Sequence, residues 1–520
     1  MLYPIGIQTF ESIRERGFVY IDKTDLIYKI VSEGTIYFLS RPRRFGKSLL
    51  LSTIKAYFQG KRQLFEGLAM ERLEKDWGVY PVFHIDFNGV DFAQAGELER
   101  TIEAFLVDAE KKYGRKEGAE TLGARFNGVL ELAALQTGHK CVVLVDEYDK
   151  PLLDVMDTPQ EKVNRNVLKA FYSTFKLADE HLRFVMLTGV TKFSQISVFS
   201  GFNQPNDISM DPRYDTLCGI TEKEMNDYFS EEMAALAEIR RVSLDRMKEL
   251  FRLQYDGYHF SQRLIGVYNP FSVLNSLEKK VVDDYWFRSG SPTYLVRLLE
   301  HCDESINELA GRYYPTSRFI DYRADVQQPL PMIYQSGYLT VKDYDMEMNE
   351  YLLDFPNVEV RKGFLDLVAT EYLKPREDVS TMASDAARAL RAGNLDALRD
   401  KMTAFLASIP YSLRRKSEER EKERFFQLVF YLVARQIGDR SVFVEKETSQ
   451  GRADCVIETG KYVYIFEFKR DGTAQVAIDQ IRSRGYAREY ATDPRKVFLI
   501  GCNFSTDSGT IDDWLAVENN

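Results

Sequence analysis

Cysteine is scarce in this chain. Five residues in 520, Cys141, Cys218, Cys302, Cys455 and Cys502, stand far apart. They have no metal-ligand spacing and outline no disulfide framework. A reduced, cytoplasmic protein is the expectation. Positive charge is also in deficit, with 69 Lys and Arg against 79 Asp and Glu and a net charge of −10. That excludes a nucleic-acid surface running along the whole chain, so any contact with phosphates must be local. The basic run Arg414-Arg415-Lys416 is followed at once by Glu418, Glu419, Glu421 and Glu423. It reads as a solvated helix face laced with i,i+4 pairs. No apolar run approaches membrane-spanning length. Met1-Leu2-Tyr3-Pro4 lacks the basic-then-apolar pattern of a signal segment, so no membrane partner is expected. Internal repeats and low-complexity segments are absent as well.

What is present is length and ordinary apolar content, 520 residues and 44%. A chain this long exceeds one ordinary core, and two to four domains are expected. Residues 1 to about 220 alternate strands with helices, as in a parallel sheet covered on both faces. From Thr221 the pattern turns helical, with a Thr cap and an acidic first turn in TEKEMNDYF. The reading places a helical lid over 221–290 and a helical, winged-helix-like connector over 291–375, ending in a hairpin. A helical linker follows over 376–410, and a last α/β domain spans 411–520.

Two constellations carry chemistry in the first part. The apolar run Thr35 to Leu39 is followed by Ser40-Arg41-Pro42-Arg43-Arg44-Phe45-Gly46-Lys47-Ser48 and then by a helical run from Leu49 to Phe58. Strand, loop, Gly-Lys-Ser and helix make the context of a phosphate-binding loop. Its backbone N–H groups, from Arg44, Phe45 and Gly46 onward, would cradle phosphates. Lys47 would reach the β- and γ-phosphates, and the Ser48 hydroxyl would hold Mg²⁺. Arg41 occupies the position where a first glycine is usual. The side chains of Arg43 and Arg44 either meet phosphate or are solvated loop charges. About a hundred residues on, the continuous apolar run Cys141 to Val145 ends in Asp146-Glu147-Tyr148-Asp149. Asp146 would hold the ion's hydration shell, and Glu147 would polarise the attacking water. A further strand, Arg183 to Leu187, ends in Thr188, either a sensor of the γ-phosphate or a strand-end cap. Asp22-Lys23-Thr24 either borders the adenine or caps a helix.

The third constellation lies near the C-terminus, where GRADCVIETG carries Asp454 and YVYIFEFKRDG carries Glu467 and Lys469. The period of a strand puts Glu467 and Lys469 on one face and Phe468 on the other. The two acids are 13 residues apart, room for one tight hairpin. A charged pair ending an apolar strand suits a divalent ion and a water held beside a scissile phosphate.

Together, GRADCVI, YIFEFK and AIDQIRSRGY resemble the PD-(D/E)XK nuclease superfamily, in the branch fused to an AAA-like ATPase. RPRRFGKS is similar to the phosphate loop of that ATPase family, and nearly the whole chain is covered. The resemblance implies that Asp454 and Glu467 ligate Mg²⁺, or Mn²⁺, and that Lys469 orients the attacking water. Glu447 matches an upstream acid, Gln480 and Tyr486 match the following helix, and Glu423 matches an acid of the preceding one. Ala453 stands where a proline is expected. Tyr255 to Tyr258 and Tyr268 to Phe271 resemble the ATPase lid and read as aromatic packing beside loops. The expected fold is an α/β multidomain chain: a P-loop ATPase with a parallel sheet, a helical middle and a restriction-endonuclease-like end. The expected function is an ATP-binding and ATP-hydrolysing protein whose Mg²⁺-dependent nuclease domain cleaves phosphodiester bonds under ATP control. Nucleic acid, with DNA the expected form, would be the partner. No arginine finger stands out, so a homo-oligomer whose neighbouring subunit supplies one is among the expected arrangements. The alternative is a signalling ATPase whose nuclease-like domain only binds.

Overall fold

The computed structural model describes residues 1–193, 205–288, 309–320, 329–373, 379–408, 442–448 and 451–519. Cys302, Glu423, residues 292–296 and the basic run at 414–416 lie outside these. The chain divides into two compact units, Met1–Glu359 and Val360–Asn520.

In the first unit five strands form one parallel sheet. They are β1 (Ile36–Ser40), β2 (Val82–Asp86), β3 (Cys141–Asp146), β4 (Leu182–Gly189) and β5 (Asn206–Asp207), in the order β2-β3-β4-β1-β5. Every position of β3 is buried, as a continuous apolar run requires of a strand covered on both faces. The helices around the sheet are α1 (Thr24–Glu33), α2 (Lys47–Phe58), α3 (Glu97–Tyr113), α4 (Leu122–Thr137) and α5 (Pro159–Tyr172). Helix α2 lies against β2, β3 and β4. Because β4 is inserted between β1 and β3, the strand ends that carry the motifs sit side by side. Ser40 is level with Gly189, Val145 with Leu187, and Asp86 with Asp146. The C-terminal edge of a parallel sheet is where such folds bind ligands.

The helical stretch that follows contains α6 (Glu222–Arg240), α7 (Leu244–Tyr255) and α8 (Pro270–Lys279), with a short pair β6 (Ile220–Thr221) and β7 (Val267–Tyr268). Thr221 caps α6 in a reciprocal box with Glu224, as the sequence foretells. Phe229, Leu236, Met247, Phe251, Tyr255 and Leu277 form the core between these helices. Beyond them β8 (Arg312–Pro315), β9 (Thr340–Asp345) and β10 (Glu350–Asp354) make an antiparallel sheet in the order β8-β10-β9.

Helix α9 (Val358–Leu373) contains the division between the units. The second unit also has α10 (Val379–Ala392) and α11 (Leu395–Ser408) and a five-stranded sheet. Its strands are β11 (Val442–Thr448), β12 (Gly451–Glu458), β13 (Tyr462–Arg470), β14 (Lys496–Phe504) and β15 (Ile511–Glu518), adjacent in chain order. All pairs are antiparallel except β13 with β14, which α12 (Ala474–Ser483) connects. Val463 and Ile465 pack on Ile478 and Ile481 of α12. Tyr464 points the other way and donates to the carbonyl of Leu390 in α10 at 2.7 Å. The alternation of this strand therefore assigns its two faces to two different helical layers.

Candidate functional site

The loop between β1 and α2 is held open by backbone geometry. Arg44 and Gly46 have φ of 67° and 90°. Alternating left-handed residues turn successive N–H groups toward one side, a concavity suited to an anion. Nothing crowds the place of a Cβ on Gly46, so its glycine is required by φ rather than by space. No side chain caps the start of α2, which leaves the helix N-terminus to face a ligand. Lys47 is buried and donates to the carbonyls of Arg41 at 2.9 Å and Pro42 at 3.0 Å. Two of its three N–H donors are thus spent on the loop. Burial pushes its pKa down, opposed by Glu147, Asp146 and Asp149. Ser48 is half-buried beside it.

Across the strand ends, the Thr188 hydroxyl donates to Asp146 Oδ1 at 2.7 Å. The Glu147 N–H donates to the same oxygen at 3.1 Å. Glu147 has φ of 48°, a conformation a non-glycine residue adopts at some cost. Its carboxyl is pushed up chiefly by burial, with Lys47 drawing it down. One cavity of about 110 Å³ borders the loop, lined by Ile21, Ile27, Phe45, Leu49, Pro270 and Leu274 among others. It is apolar enough for a planar base. Lys23 lines it too, but Asp22 and Thr24 do not. Asp22 accepts from the N–H and hydroxyl of Thr24 and, at 2.7 Å, from the N–H of Ala69. Tyr258 packs edge-to-face on Phe45, with ring centroids 4.7 Å apart, so the aromatic turn at Tyr255 to Tyr258 packs beside this loop.

In the second unit β12 and β13 pair in the register Cys455 with Phe466. One step further Asp454 stands opposite Glu467, and its Oδ2 accepts the Phe468 N–H at 2.7 Å. Glu467 is 2% exposed. Its Oε1 accepts from Lys469 Nζ at 2.9 Å, and its Oε2 is buried without a partner among the described residues. Burial first, and the Asp454 carboxylate second, push Glu467 up to about 7, with Lys469 opposing. Glu467 and Lys469 share the strand face of Val463 and Ile465, the face that α12 covers. Phe468 points away and packs on Phe504 with centroids 5.5 Å apart. Gln480 is half-buried on α12, whereas Tyr486 belongs to the core of the unit.

A family model described as predicted AAA-ATPase matches residues 4–199, and one described as the PD-(D/E)XK nuclease superfamily matches residues 421–514. A protein of Azotobacter chroococcum mcd 1, described as an uncharacterized protein in the vnfD 5′ region, is 36% identical over 515 residues. The match covers 98% of this chain and 97% of that one. The chain belongs to the AAA-ATPase-like family with a C-terminal PD-(D/E)XK nuclease-superfamily domain. Both halves of the resemblance read from RPRRFGKS and YIFEFK are thereby borne out. No helix among the described residues is long and apolar enough to cross a membrane.

Several residues of the two modules have contacts that the motifs do not reveal. Arg41 is buried, donates to the carbonyls of Ser40, Ser209 and Tyr214, and lies on the Phe260 ring at 4.0 Å. In the ATPase-like module it braces the loop between β1 and α2, at a position where a glycine is usual. Asp149 accepts from the N–H groups of Val190 and Thr191 and the Thr191 hydroxyl, tying the end of β3 to the segment after Thr188. In the nuclease-superfamily module, Gly501 is level with Glu467, and a Cβ there would meet the Ala474 carbonyl at 2.1 Å. Only glycine lets α12 come so close. Glu447 lies opposite Arg452, while the pairs Val444–Cys455 and Lys446–Ala453 bracket Glu445 and Asp454. Glu445 is thus the acid level with Asp454, a position visible only in the register. The donor set suits a hard divalent cation: two carboxylates, one with an orphaned buried oxygen. Among the described residues no group of three or more His, Cys, Asp or Glu converges on one point.

Proposed function

We propose that this protein hydrolyses ATP at the first unit and cleaves nucleic-acid phosphodiester bonds at the second, with ATP regulating cleavage. In the first unit the loop amides from Arg44 to Gly46 and the start of α2 hold the phosphates. Lys47 offers its remaining donor to the β- and γ-phosphates. Ser48 and Asp146 hold Mg²⁺, Thr188 fixes Asp146, and Glu147 receives a proton from the attacking water. Its raised pKa is in keeping with that role, because a better base is a stronger acceptor at neutral pH. In the second unit Asp454 and Glu467 hold a divalent ion. Such an ion, when bound, supplies charge to the scissile phosphate and lowers the pKa of a water. Lys469 sits beside Glu467 and orients that water while offsetting charge on the phosphate.

The observation that carries the nuclease reading is the buried Oε2 of Glu467, without a partner among the described residues, beside a lysine and one strand from a second acid. An acceptor left so is costly unless a cation takes it. The test is incubation of the purified protein with labelled linear DNA, plasmid and RNA, with and without Mg²⁺, Mn²⁺ and ATP. Wild type should cut only with a divalent ion, and DNA is the expected substrate. Lys469→Ala should lose cleavage by about 10²-fold or more while keeping its melting temperature. A Lys469→Ala variant that cuts like wild type would remove this assignment. Binding without cutting under all conditions would leave a nucleic-acid-binding module in its place.

A further inference from the structure

The phosphate loop is gripped from outside by a residue that lies in none of the motifs. Trp286, in the short turn Tyr285–Arg288, is buried, and its indole N–H donates to the carbonyl of Arg43 at 3.0 Å. The two residues are 243 positions apart. No cis peptide occurs among the described residues, and in a trans plane the C=O and the following N–H point in opposite directions. Fixing the Arg43 carbonyl on Trp286 therefore points the Arg44 N–H away from the indole.

Trp286 is itself held. Its backbone N–H donates to Glu359 Oε1 at 2.6 Å, and the Ser272 hydroxyl donates to Glu359 Oε2 at 2.8 Å. Its ring meets Tyr338 edge-on, centroids 5.4 Å apart. Glu359 is fully buried, which pushes its carboxyl up to about 8. Ser272 belongs to α8, whose Pro270 and Leu274 line the cavity beside the loop. The same helix sets Phe271 under the Arg44 guanidinium at 4.9 Å. The main chain at Arg43 and the side chain of Arg44 are thus held by two elements, and both elements meet at Glu359. Glu359 is also the last residue of the first unit and the second of α9.

We propose that Trp286, fixed by Glu359, is a positioning residue for nucleotide: it sets the Arg43–Arg44 peptide so that the Arg44 N–H is a phosphate donor. Occupancy of the loop is then felt at Glu359, where α9 begins. This rests on the nucleotide-binding reading and adds the route by which the loop reports its state. A phosphate accepting from the Arg44 N–H polarises the same peptide and strengthens its bond to the indole.

The test uses the full chain. Trp286 is one of three tryptophans, so replacing Trp77 and Trp514 with Phe leaves it as sole reporter. Calorimetry measures the binding of a non-hydrolysable ATP analogue with Mg²⁺, and tryptophan emission is followed over the same titration. Emission should shift in step with binding. In the wild-type background Trp286→Phe keeps an aromatic ring against Tyr338 and loses the indole N–H together with some buried ring volume, so its melting temperature is read alongside. Its affinity should fall about tenfold, the size of one net hydrogen bond. Glu359→Leu should lose a similar factor, and Glu359→Gln, shaped like the neutral acid, should recover most of it. Hydrogen exchange of residues 358–367 should slow on nucleotide addition in wild type and much less in Trp286→Phe. Unchanged affinity in Trp286→Phe, or emission that stays put while calorimetry registers binding, would overturn the proposal and leave nucleotide binding intact. Absence of calorimetric binding in the parent protein would sink both.

Discussion

Glu147 and Glu467 are both carboxylates raised by burial, yet their surroundings differ. Glu147 sits at a positive φ next to Asp146, in a run of acids at a strand end, with the Lys47 ammonium as its main counter-charge. Glu467 faces Asp454 and has its own lysine two residues on, along the same strand. The first arrangement suits proton acceptance and the second suits cation binding. Glu147→Gln keeps shape and removes the base, so ATP turnover should fall by about 10²- to 10⁴-fold while ATP binding persists. Phosphate release and nucleotide calorimetry on the same preparation separate the two. Turnover equal to wild type would dismiss Glu147 as the base. The residue types at both sites were legible because strand periodicity and the Gly-Lys-Ser context leave few choices. The role of Arg41 was not, because it depends on carbonyls of Ser209 and Tyr214, more than 160 positions away in the chain.

At the scale of elements, the strands that carry the motifs were readable from apolar runs: β1, β3, β4 and β13 stand where the sequence places them. The packing of α12 was not. Its closeness to the sheet depends on Gly501, level with Glu467, and a lone glycine in an apolar strand has several readings. Gly501→Ala would drive a methyl group into the Ala474 carbonyl, which belongs to the helix backbone and cannot swing aside. Overpacking of this kind costs about 1–3 kcal/mol. The expected outcome is a thermal transition of the second unit lowered by several degrees, with that of the first unchanged. Calorimetric scanning of the full chain resolves the two. An unshifted second transition would mean that α12 tolerates a gap at this point. Cleavage should fall as well, since the wall burying Glu467 moves with the helix.

For the whole molecule, the two sites lie in two compact units, so ATP can alter cleavage only by shifting a conformational equilibrium. A non-hydrolysable ATP analogue should change the cleavage rate of wild type by at least severalfold and leave Lys47→Ala unaffected, because that variant lacks the ammonium proposed to reach the phosphates. Equal rates in all four conditions would mean two independent activities in one chain. Local order in sequence determined much of this protein by itself. The Gly-Lys-Ser turn, the apolar run ending in acids and the Glu-x-Lys strand each need only a few consecutive residues, and periodicity sets which side chains share a face. Tertiary structure alone decided what those residues meet. It inserted β4 between β1 and β3, so that the Thr188 hydroxyl reaches Asp146. It set Glu445, rather than Glu447, level with Asp454, and brought Trp286 to the phosphate loop. The reason is physical: register, strand order and contacts across hundreds of positions are settled by packing and hydrogen bonds between distant segments, and no local window of sequence contains both partners.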